Sequence, residues 1–209
     1  MKTIEVFALT LLLYFLLSKI VWPEHWDSGA DDVPYFILTV DGVHCQIEEP
    51  KHPTLSKNPA FWSHKYNAAG LGYEIGIAIF EKKVVWLKGP FRAGKPDISV
   101  FKNGEDDEDE DEVGLYDKIP PGHKGIADKG YPGCWDKLSK SNSHDSDAVR
   151  KLKGRARAHH ETFNGGLKNF NCLSQKFRHK DIDKHRLCFH AVSVICIYQL
   201  ENGSPLFDV

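Results

Sequence analysis

Residues 35–42 read Tyr-Phe-Ile-Leu-Thr-Val-Asp-Gly, and this stretch decides the fold. YFILTV is a continuous apolar and β-branched run, the pattern of a strand buried on both faces. It runs into Asp41-Gly42, which predicts a carboxylate at the strand's carboxyl end beside a flexible residue. Downstream, Tyr73–Phe80 (YEIGIAIF) and Lys83–Leu87 (KVVWL) read as two strands with Glu81-Lys82 as a tight hairpin. Gly89-Pro90 ends that pair. Pro96-Asp97 starts a short helix over 98–102 with Asp97 as N-cap. Lys124–Ala127 (KGIA) is a short strand that delivers Asp128, and Gly130-Tyr131-Pro132-Gly133 turns the chain. Ser139–Ser146 reads as a loop. Helical signals run from Ala156 to Leu173 and from Asp181 to Leu200. The second is apolar nearly all round beyond Leu187 and is expected to be buried.

A chain of 209 residues suits one domain with an appendage. Its apolar and charged content excludes a wholly disordered chain, a collagen and a polytopic membrane protein. The net charge of -2 hides a segregation. Residues 105–112 are eight consecutive acids, read as a solvated insertion. From Asp117 to His190, 16 Lys and Arg stand against 8 Asp and Glu. Such a basic body attracts phosphate backbones without sequence preference.

Five cysteines at wide spacing do not form a disulfide framework. Cys172, His179, His185, Cys188 and His190 can be read as a zinc cluster, but their spacing matches no standard finger; buried or incidental residues are the bland reading. Residues 1–30 form an N-terminal hydrophobic segment. Its apolar run at 6–18, VFALTLLLYFLLS, is too short to span a bilayer; the readings open to it are a signal-peptide core, an anchor, a packed helix that Pro23 ends, or a wrongly assigned gene start.

Three acids stand apart from the solvated ones. Asp41 and Asp128 each follow a short apolar strand and precede a glycine, directly or one residue on. If those strands are parallel neighbours, the two carboxylates meet at one edge of the sheet, where open α/β sheets bind ligands. Glu161 lies in HETFNGGLKNF at 160–170. At 100° per residue, Phe163, Leu167 and Phe170 form one apolar stripe, and Glu161 faces away from it beside Asn164, Gly165 and Lys168. Three carboxylates supply oxygen-only ligation, suited to Mg²⁺ or Mn²⁺. The alternative is two loop acids and one exposed helix acid.

VDG at 40–42, the block from GLGYEIGIAIF through VVWLKGPFRAGKPDISVFKN, IADKGYPG at 126–133, HETFNGGLKNF and KHRLCFHAVSVI together resemble the DDE superfamily endonuclease domain of PIF/Harbinger-like transposases. The resemblance covers residues 34–200. It implies an RNase H-like fold, a mixed five-stranded sheet flanked by helices, preceded here by the hydrophobic N-terminal helix. It further implies Asp41, Asp128 and Glu161 as catalytic and metal-holding residues, with Asp41 shared by two Mg²⁺ or Mn²⁺ ions and DNA as substrate. Asp97 falls in an Asp-containing block of the family. Gly166 stands where the family pattern expects a basic residue. Only about 33 residues precede the first strand, so the helical DNA-binding region of the family is expected to be missing and its role left to a separate partner protein. Lys124, Lys129, Arg150, Lys151, Arg155, Arg157 and Lys168 are the candidates for phosphate contact. A nuclear location is expected, with the basic run 150–157 as a possible import signal; the alternative is the membrane or secretory pathway through residues 6–22. The rival to an enzyme is a transposase-derived scaffold that binds DNA without cutting it.

Overall fold

The computed structural model describes residues 20–26, 36–49, 58–102, 113–203 and 205–208. The apolar run 6–18 and the acidic run 105–112 lie outside the described residues. The strands are β1 (Phe36–Gln46), β2 (Trp62–Ser63), β3 (Ala68–Ala78), β4 (Val84–Arg92), β5 (Lys124–Ile126) and β6 (Leu138–Ser139). The α-helices are α1 (Asp97–Lys102), α2 (Leu115–Lys118), α3 (Asp147–Lys168), α4 (Asn171–Ser174) and α5 (Ile182–Asn202).

They build one mixed sheet in the order β2-β3-β1-β5-β6, with β4 also on β3. β1 pairs antiparallel with β3 from Leu38↔Ala78 to Gln46↔Gly70. On its other side it pairs parallel with β5, but only as far as Thr39↔Ile126. A five-strand sheet was expected; the two-residue β2 makes six. The first strand was expected to end at Asp41, yet it runs on to Gln46 because β3 continues to accept its backbone bonds. Asp41 therefore sits inside a strand, at the point where β5 leaves it. The expected stop at Gly89-Pro90 is also displaced, since β4 runs through it to Arg92. β4 pairs with β3 alone, so a proline without an N–H costs this edge strand little.

Both faces of the sheet are covered, which is why residues 36–40 carry no polar alternation. On one face Val43, Cys45, Tyr73, Ile75 and Ile77 pack with Phe163 and Leu167 of α3 and with Phe189, Val192 and Cys196 of α5. On the other, Leu38 and Val40 pack with Phe101, Leu115, Ile119, Tyr131 and Leu138. Each such fully buried aliphatic or aromatic side chain contributes roughly 1.5–3 kcal/mol of hydrophobic stabilisation.

α3 begins nine residues before the expected Ala156. Ser146 caps it, its hydroxyl accepting from the Val149 N–H at 3.3 Å. The last helix is half-exposed at Leu187, Ile195 and Tyr198, so the expected full burial holds only for its inner face. Among the described residues no helix is long and apolar enough to cross a membrane.

Candidate active site

Thr39 and Ile126 are the last paired residues of β1 and β5. Asp41 and Asp128 each lie two residues further on, so the fork between the strands presents both carboxylates side by side. Each is held by a local backbone donor: Gly42 N–H to Asp41 Oδ1 at 2.9 Å, and Gly130 N–H to Asp128 Oδ1 at 2.6 Å.

α3 brings the third acid. His160 Nδ1 lies 2.8 Å from Thr39 Oγ1, and the Asn164 amide donates to Asp41 Oδ2 at 3.1 Å. Residues 39 and 41 are neighbours on one strand face, about 6.6 Å apart along the strand. Residues 160 and 164 are one helical step apart, about 6 Å. The two spacings match, so two consecutive side chains of each element meet. Phe163 and Leu167 bury the adjoining stripe. Glu161, one residue past His160, then turns to the cleft, which it lines with Asp41, Asp128, Arg157 and His160. Glu161 itself is exposed.

A fourth carboxylate joins them. The α1 ladder starts from the Pro96 carbonyl, which accepts from Ser99 and Val100, so Asp97 is the first residue inside the helix and not its N-cap. Its carboxylate packs against both glycines of the acid loops. A Cβ on Gly42 would stand 2.8 Å from Asp97 Oδ1, and one on Gly130 would stand 2.7 Å from Asp97 Oδ2 and 3.0 Å from Asp128 Oδ1. Burial pushes the Asp41 carboxyl up to about 6, with the charges of Asp128 and Asp97 adding to the rise. Burial, then the Asp128 charge, pushes Asp97 up to about 6 as well. Lys65 opposes both shifts, a basic residue absent from the expected set. Behind Asp97 lies Glu74, pushed up to about 8 by burial; its Oε2 accepts from Trp86 Nε1 at 2.9 Å, and its Oε1 has no hydrogen-bond partner. Burial holds His160 neutral, down at about 3.

The donors are hard oxygens that repel one another, and such a set fits a divalent cation. Among the described residues, however, no three His, Cys, Asp or Glu side chains are gathered closely enough to hold a metal. The acids share a cleft without forming a closed cage. The same observation removes the zinc reading of Cys172, His179, His185, Cys188 and His190, and all five cysteines are free thiols.

The basic candidates divide. Arg157 lines the acid cleft, and Lys129 is exposed beside Asp128. Lys151 is exposed, and Arg150 pairs with Asp147 at 3.1 Å on the helix surface. Lys124 donates to the Trp135 carbonyl at 2.5 Å. Arg155 is tied to the Asp208 carbonyl of the C-terminal segment. Lys168 turns inward, and its three donors go to His44 O at 2.6 Å, Leu173 O at 2.9 Å and Cys45 Sγ at 3.4 Å. It tethers β1 to α4 and has no donor left for a phosphate. Gly165, on the Glu161 side, has open space around it, and Gly166 faces Cys196 of α5.

No curated protein and no solved structure matches this chain. One family model does, over residues 40–197, a span that holds Asp41, Asp97, Asp128 and Glu161. The chain belongs to the DDE superfamily endonuclease family.

Proposed function

We propose that the cleft is a divalent-metal site for hydrolysis of DNA phosphodiester bonds, in an RNase H-like domain of the PIF/Harbinger-like branch. The carrying observation is that Asp41 and Asp128 flank the β1/β5 fork while Glu161 lines the same cleft. The β4-β3-β1-β5-β6 order, antiparallel on one side of β1 and parallel on the other, supports the fold reading. Asp41, Asp128 and Glu161 would hold two Mg²⁺ or Mn²⁺ ions, with Asp97 as a further carboxylate beside them. Such ions lower the pKa of an attacking water and offset charge developing on the phosphate and the leaving 3′ oxygen.

The chain's own residues do the rest. Asn164 and the Gly42 N–H orient the Asp41 carboxylate. The Gly130 N–H fixes Asp128. Arg157, Lys65 and Lys129 supply positive charge where phosphates approach. The test is nicking of supercoiled plasmid in Mg²⁺ or Mn²⁺, wild type beside Asp41→Ala and Glu161→Gln. Metal-dependent nicking lost in both variants is expected. Nicking that survives both would remove the site.

A scaffold that binds DNA without cutting it is the second reading, supported by the open arrangement of the acids and the exposure of Glu161. DNA binding without metal-dependent nicking would favour it. We place the chain in the nucleus, where its substrate lies. A C-terminally tagged protein should keep its Met1 end and enter the nuclear fraction; a chain starting after residue 18, or a membrane-bound tag, would overturn this.

A further inference from the structure

The segment that follows Asp128 carries an aromatic side chain whose position packing does not account for. Trp135 is 59% exposed. An indole is large and mostly apolar, and leaving it this open forgoes the stabilisation that its burial would give. Its backbone is nonetheless anchored on both sides. Tyr131 and Cys134 are buried before it and Leu138 after it. The Cys134 carbonyl accepts from Lys137 and Leu138, closing a turn around Trp135. The turn thus presents the ring instead of burying it.

The chemistry around the ring is positive. Lys140 Nζ lies over it, 4.9 Å from its centroid, and also reaches the carbonyl of Lys129, the residue after Asp128, at 3.5 Å. One ammonium therefore links the ring to the acid loop. Lys124 Nζ holds the Trp135 carbonyl at 2.5 Å. Asp136, the adjacent acid, is engaged by the Tyr116 hydroxyl at 2.7 Å.

We propose that Trp135 is a stacking platform for an unpaired nucleobase of DNA beside the acid cleft, with Lys124, Lys129 and Lys140 meeting the flanking phosphates. This rests on the reading that DNA is the substrate. Charge complementarity selects a polyanion, and the open ring selects one with exposed π-faces. Bases inside an intact duplex have both faces covered by neighbours, so the ring requires a strand end, a flipped base or a single strand.

The test uses the full chain in EDTA, so that cleavage cannot occur, and labelled oligonucleotides that are single-stranded, forked or blunt duplex. Trp135→Ala should weaken single-stranded and forked binding by roughly 5- to 150-fold, the range of one lost base stack. Blunt-duplex binding should change far less, and Trp135→Phe should restore most of the loss. The slope of log affinity against log salt should stay as in wild type for Trp135→Ala, because stacking releases no counterions. It should fall by about one for Lys140→Ala. Equal binding of Trp135→Ala and wild type to single strands, or an equal loss on all three substrates with a changed slope, would overturn the proposal. So would a Trp135→Ala change in oligomeric state without one in DNA affinity. A wild type that binds no DNA would sink both this inference and the nuclease reading. A wild type that binds but does not cut would leave the inference standing.

Discussion

A side chain on Gly42 would collide with Asp97: its Cβ would lie 2.8 Å from the Asp97 Oδ1. Gly130 meets the same carboxylate from the other acid loop, at 2.7 Å from Oδ2. The glycines that follow Asp41 and Asp128 are therefore the two walls of the Asp97 slot, and neither has a positive φ that would demand glycine for backbone reasons.

Gly42→Ala should displace Asp97, destabilise the fold by about 1–3 kcal/mol through overpacking, and reduce metal-dependent nicking. Gly154→Ala is the contrast. It lies inside α3 with open space around its Cβ position, so it should stabilise by about 0.5–1 kcal/mol. Chemical denaturation of both variants, with plasmid nicking in parallel, checks the pair.

Stability should depend on pH through the acid cluster. Asp41 and Asp97 rise from 3.8 to about 6 on folding, so the folded state holds their protons more tightly than the unfolded chain. Their contribution is complete below about pH 4 and is lost as pH rises through about 6. Asp97→Asn cannot ionise. In EDTA at pH 8 it should exceed wild type by about 1–3 kcal/mol, a gain that shrinks by pH 5. Mg²⁺ should raise the melting temperature of wild type at pH 8, and less so for Asp97→Asn. A variant no more stable than wild type at pH 8 would contradict the repulsion.

Two lysine and arginine ion pairs on α3 should differ sharply. Lys153 is 2% exposed and pairs with Asp145 at 2.9 Å, also donating to the Lys140 carbonyl at 2.8 Å. Lys153→Ala leaves a shielded carboxylate and should cost about 3–5 kcal/mol. Arg150 and Asp147 are exposed, and Arg150→Ala should cost under about 1 kcal/mol. Melting curves of the two variants decide it.

Deleting residues 105–112 removes eight consecutive negative charges, which repel a phosphate backbone and attract bases of the same chain. The deletion should tighten DNA binding at low salt and matter less as salt rises. Unchanged or weaker affinity at low salt would count against this role.

Much of this was legible in the chain because it is local. A two-sided apolar run marks a strand covered on both faces, and β1 is one. The pairing of β3 with β4 in a hairpin, the turn after Asp128 and the apolar stripe of Phe163 and Leu167 follow from periodicity and turn chemistry within a few residues, although the expected two-residue turn at Glu81-Lys82 is a five-residue connection over 79–83. That stripe alone places Glu161 on the opposite side of its helix. Asp41 and Asp128 were recognisable as strand-delivered acids, but whether they met depended on β5 pairing beside β1 and leaving it at Thr39.

Tertiary structure alone decided the fates of the remaining charged groups. Asp97 has the local pattern of a helix cap and stands instead among the acids. Lys168 was expected to contact phosphate and Lys153 belongs to the basic run 150–157, yet the first spends its donors on three acceptors within the fold and the second is enclosed with Asp145. Arg155 belongs to a basic run and is bound by the C-terminal segment. Trp135 has the composition of a core residue and lies open. A charged or aromatic side chain is placed by what packs opposite it, and those partners can lie far along the chain, as Asp208 lies 53 residues from Arg155 and His44 lies 124 residues from Lys168. Local periodicity carries no information about such partners, whereas the desolvation cost of an unpaired charge makes the folded chain find them.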